Sequence, residues 1–148
     1  MQNWHIMKRF DFRLQKVLQI RKNREEQSKI ALGQAIGVLN GIENNIKETA
    51  IKRHHAASER FNDALYMAAW NNYIIRLDQE AVQLEEKAAQ AELIVEEKRA
   101  LYLEASKKLK AMEKLKEKQE KEYKKEMFAM EMAELDNLTA ARRYLETA

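Results

Sequence analysis

The residue types that could do chemistry are few, and their spacing does not suit it. The histidines are His5, His54 and His55. Neighbouring positions on a helix point about 100° apart, so His54 and His55 cannot close on one metal ion. His55 has Glu59 one turn further on, which reads more simply as a surface contact. Ser28, Ser58 and Ser106 have no base placed to build a triad with them. The carboxylates are many but lie on solvated helix faces, where nothing removes them from water for general-acid work. Gly33, Gly37 and Gly41 stand singly in a helical pattern and form no phosphate loop. With no cysteine there is no disulfide, thiolate metal site or thiol nucleophile. The sequence therefore predicts no catalytic residue, no metal site and no cofactor.

What the chain offers instead is apolar residues at helical spacing. Proline is absent, charged residues make up 34% of the 148, and Ala, Glu, Lys, Leu and Arg dominate. That composition belongs to long helices, and no alternating β-branched run suggests a strand. The fold class predicted is all-α: a long antiparallel two-helix coiled coil, a helical hairpin with the second helix overhanging the first. It forms a single domain over residues 1–148, with helix 1 at about 11–60, a turn at about 58–63 and helix 2 at about 64–142.

Near the N-terminus Phe10, Leu14, Val17 and Leu18 give a stripe at i, i+4, i+7 and i+8 among basic residues. The seam of helix 1 continues through Leu32, Leu39 and Ile46, joined by Ala35, Ile42 and Thr49. Arg21, Glu25 and Ser28 interrupt it early and Arg53 late. The four-residue spacing of the glycines leaves two readings open: close approach of a second helix, or glycines on a solvated face. Asn62 or Asp63 suits the cap of helix 2. That helix has a seam of Leu77, Leu84, Ala91, Lys98, Ala105 and Met112, with a second line including Ile94, Leu101 and Leu115. Ala81, Ala88, Val95, Tyr102 and Leu109 lie beside it.

A turn near residue 61 sets residue 14 opposite about 108 and residue 10 opposite about 112. The predicted shape is a rod, paired over about 75 Å, with an overhang of about 50 Å. In the overhang a Lys/Glu-rich stretch precedes Met127, Phe128, Met130, Met132, Leu135, Leu138 and Leu145, an apolar series with no internal partner.

Charge and hydropathy exclude other classes. No run of 18 apolar residues exists to span a membrane, and the N-terminus has no apolar signal-peptide core. The formal net charge is only +3 and lysine alternates with glutamate, so no clustered phosphate-binding face is expected.

The opening words Phe10-x-Phe12-x-Leu14-Gln15-x-Val17-Leu18, followed by Arg21 and Glu25, resemble the start of the flagellar export protein FliJ family. Met7-Lys8-Arg9-Phe10 looks like that family's usual first residues, which would make residues 1–6 an upstream extension. The resemblance implies a non-catalytic stalk or adaptor of the flagellar (type III) export apparatus. Its implied partners are the export ATPase and its regulator, the cytoplasmic domain of the export gate, and export chaperones. No nucleic acid is expected, and the implied location is cytoplasmic, peripheral at the membrane through partners only.

Two residue sets follow from the resemblance and the seam together. Trp70, Tyr73, Ile74 and Leu77 match the family's aromatic-x-x-aromatic-Ile-x-x-Leu pattern after the turn, with Ile46 and Leu39 on the facing helix. These six are candidates for gate binding, although Glu80 stands where the family has a small residue. Phe10, Leu14, Leu18, Phe128, Met132 and Leu135 are candidates for ATPase binding. The alternatives are a generic coiled-coil scaffold and a basic nucleic-acid-binding helical protein.

Overall fold

A computed structural model describes residues 9–147. His5, Trp4 and the question of a start at Met1 or Met7 lie outside the described residues. The chain forms α1 (Gln15–Ser58) and α2 (Ala64–Thr147), and no strand occurs among the described residues. The fold is an antiparallel two-helix coiled coil in which α2, with 84 residues, far outruns α1, with 44. The contacts divide it into two compact units. One is Arg24–Ala105; the other joins the residues up to Asn23 with those from Ser106 onward.

In the Arg24–Ala105 unit α1 lays a heptad seam on α2. Glu25, Ser28, Leu32, Ala35, Leu39, Ile42, Ile46, Thr49 and Ala56 form the seam, at alternating steps of three and four apart from the gap at Arg53, with Ala31 and Ile36 half-buried beside it. The polar residues expected to interrupt the seam keep their places in it. Glu25 and Ser28 are half-buried, and Thr49 is buried. Arg53 does leave the seam, and its Nε donates to Asp78 Oδ1 on α2 at 3.1 Å.

The second line of α2 differs from the expected one. Ile94 and Leu101 are each 49% exposed, while Ala81, Ala88, Val95 and Tyr102 are covered beside Leu77, Leu84, Ala91 and Lys98. The charges explain this register. A line through Ile94 and Leu101 would also bury Glu80 and Lys87, whereas the line through Val95 carries no charge from Ile74 to Leu109. Burying an unpaired charge costs several kcal/mol, more than the extra methylenes of Ile94 and Leu101 return.

Asp63 sets the start of α2. Its Oδ1 accepts from the Leu65 N–H at 2.9 Å and its carbonyl takes the first helical bond, from Met67 N at 3.0 Å. At the other end α2 runs past the expected residue 142 to Thr147, there being no glycine or proline to stop it.

In the other unit α1 begins at Gln15 and not near residue 11. The chain before it is non-helical and turns at Arg13 and Leu14, the Gln15 N–H donating to Phe12 O at 3.0 Å; Phe10 is half-buried, Asp11 exposed, Phe12 buried and Arg13 exposed. Phe12, at 4% exposure, takes the place expected for Leu14, which is 38% exposed. Phe12 forms a small core with Leu18 and Leu109, flanked by Phe10, Met112 and Leu115. Phe10 reaches further along α2 than position 112. Its ring lies 5.6 Å from that of Tyr123.

Candidate interaction surfaces

The turn between the helices is built around Trp70. The last carbonyls of an α-helix have no partner within it. At the end of α1, Ala56 O accepts from Trp70 Nε1 at 2.6 Å and His55 O accepts from Ser58 Oγ at 2.7 Å. Ala56 is 1% exposed, and its methyl leaves the indole room to come in. The Trp70 ring then gathers others, with Phe61 edge-on at 5.3 Å and Tyr73 tilted at 5.3 Å. Tyr66 stacks on Phe61 at 6.4 Å, and the Arg76 guanidinium stands 6.0 Å from the Tyr73 centroid. These side chains and Ala69 line an open cleft of about 530 Å³.

Of the six gate-binding candidates, Trp70 and Tyr73 share this cleft. Leu77, at 4% exposure, lies inside the seam, and Ile74, Leu39 and Ile46 are half-buried along it. Phe61 and Arg76 escaped the sequence reading because Phe61 sits in the turn, off any helical lattice. Tyr66 was legible as a lattice neighbour of Trp70, four residues away.

The six ATPase-binding candidates also divide. Leu18 and Phe10 belong to the small core and its flank, while Leu14 stands at its rim. Phe128, Met132 and Leu135 are 64%, 43% and 54% exposed on the last turns of α2. Coverage of α2 ends with the half-buried Tyr123 and Met127, later than the position near 112 expected opposite residue 10.

A Cβ added at Gly33, Gly37 or Gly41 would meet nothing within 4 Å, so among the described residues no helix approaches the glycine face. Among the described residues no group of three metal-ligating side chains comes together. His55 Nε2 meets Glu59 Oε1 at 3.5 Å on the exposed surface.

A paired helical hairpin with an aromatic cleft in one unit and exposed apolar residues on α2 in the other defines a coiled-coil protein. Over residues 10–147 the chain matches the family model described as Flagellar FliJ protein, and it belongs to that family. It is accordingly a component of the flagellar export apparatus. No curated protein and no solved structure matches it.

Proposed function

We propose that the chain is a non-catalytic stalk or adaptor linking the export ATPase ring to the cytoplasmic domain of the export gate. The ATPase's regulator and export chaperones are further partners of the same kind. The observation that carries this reading is a pair of uncovered surfaces, one in each compact unit. The first is the Trp70 cleft with Tyr73, and we assign the gate to it. The second is the exposed face of Phe128, Met132 and Leu135, and we assign the ATPase to it. No helix among the described residues is long and apolar enough to cross a membrane, in keeping with recruitment through partners at its cytoplasmic side. In this reading Leu77, Leu39 and Ile46 hold the helices under the cleft, while Tyr73 touches the partner.

The test is complementation. In a flagellated bacterium lacking its own family member, the chain should restore export of filament protein and co-purify with the export ATPase and the gate. Failure of both, with the protein present and helical, would contradict the proposal.

A further inference from the structure

On the last turns of α2, Phe128, Leu135, Leu138 and Leu145 are between 54% and 75% exposed. Their spacing is that of a coiled-coil seam. With Glu131 and Arg142 they complete a series in which Phe128, Leu135 and Arg142 hold one heptad position and Glu131, Leu138 and Leu145 the other.

The series is complementary to its own reversal. A two-fold axis between Asp136 and Asn137 sets Phe128 against Leu145 of a second copy, Glu131 against Arg142, and Leu135 against Leu138. Every a position then faces a d position, as an antiparallel pair requires. The charged positions of the seam, Glu131 and Arg142, meet each other. In a parallel in-register pair Glu131 would face Glu131 and Arg142 would face Arg142, two like-charge layers inside the seam.

We propose that this face of α2 takes a second copy of the same chain, as an antiparallel two-fold dimer joined through residues 128–145. An isologous contact of this kind uses one patch twice and closes on itself. Arg142 already meets Glu146 of its own helix at 3.5 Å, but both side chains are largely exposed. An exposed pair of that sort holds an arginine weakly, so the guanidinium is free to turn to Glu131 of the second copy. The seam is five turns long, about 27 Å, which makes the dimer a weak and reversible one. It hides the apolar face whenever nothing else covers it. The dimer does not rest on which export proteins the chain meets.

Sedimentation velocity on the purified full-length chain from about 10 µM to about 500 µM tests this with no partner present. The chain should pass from monomer to dimer across that range. Glu131→Arg alone and Arg142→Glu alone each create like-charge layers and should weaken the dimer about tenfold or more. The two together restore opposite charges and should return the dissociation constant to within about threefold of the original. Both positions are exposed on the helix surface, so circular dichroism should show unchanged helix content. A monomer at every concentration would overturn the proposal. So would a dimer that ignores the single reversals, or a double variant as weak as either single one.

Discussion

At Trp70 one hydrogen bond joins the end of α1 to the start of α2, and the same ring forms a wall of the cleft. Trp70→Phe keeps an aromatic ring but leaves the Ala56 carbonyl without its indole donor, which should cost about 1 kcal/mol in urea denaturation. Tyr73 and Leu77 are one turn apart but differ in kind. Leu77→Ala empties a seam position and should lower stability by about 2–3 kcal/mol. Tyr73→Ala should lower it by less than about 1 kcal/mol, yet weaken gate binding the more. Equal stability losses for the two would mean that the cleft is packing alone. Trp70, Tyr73 and Leu77 were singled out by the family pattern they match. Which of them faces outward was not legible, because a helical stripe spanning about 100° contains both seam and rim.

Among the elements, α1 was read correctly where its seam is apolar and misplaced where the chain is not helical. Phe10 and Leu14 are four residues apart and suggested a helical stripe that leaves Phe12 off it, whereas it is Phe12 that packs with Leu18 and Leu109. On α2 the choice between Ile94 and Val95 turned on charges several turns away, which a local pattern does not weigh. The glycines give a prediction at this scale. Each sits in a helix with free space where a Cβ would go. Gly33→Ala, Gly37→Ala and Gly41→Ala should therefore each stabilise the hairpin by up to about 1 kcal/mol, seen as a higher urea midpoint at constant slope. A lower midpoint would mean that some other helix packs on that face in solution.

For the whole molecule, stability and function pull on different stretches of the same two helices. The seam of α1 is thin, with Ala35, Thr49, Glu25 and Ser28 among its covered residues, so burial stabilises it less than a leucine seam would. Amide hydrogen exchange on the isolated chain should be slowest at residues 32–46 and in their counterparts near 76–90, and fast beyond Met127. Binding of a partner should slow it by mass action. Uniform protection from residue 10 to 138 would show a seam far stronger than its residues suggest. The family was legible in Phe10 to Glu25 because those residues resemble the family's opening pattern. The assignment of a partner to each surface is a matter of contact chemistry, and that is decided by binding.

The most direct test sets the two surfaces against the two partners. Phe128→Ala with Leu135→Ala, and separately Tyr73→Ala, would be measured by calorimetry against the purified export ATPase and the gate's cytoplasmic domain. The account predicts that the first variant loses about tenfold or more in ATPase affinity and keeps gate binding, and that the second does the reverse. If both variants weaken both partners alike, or neither weakens either, the chain does not join the two through separate surfaces.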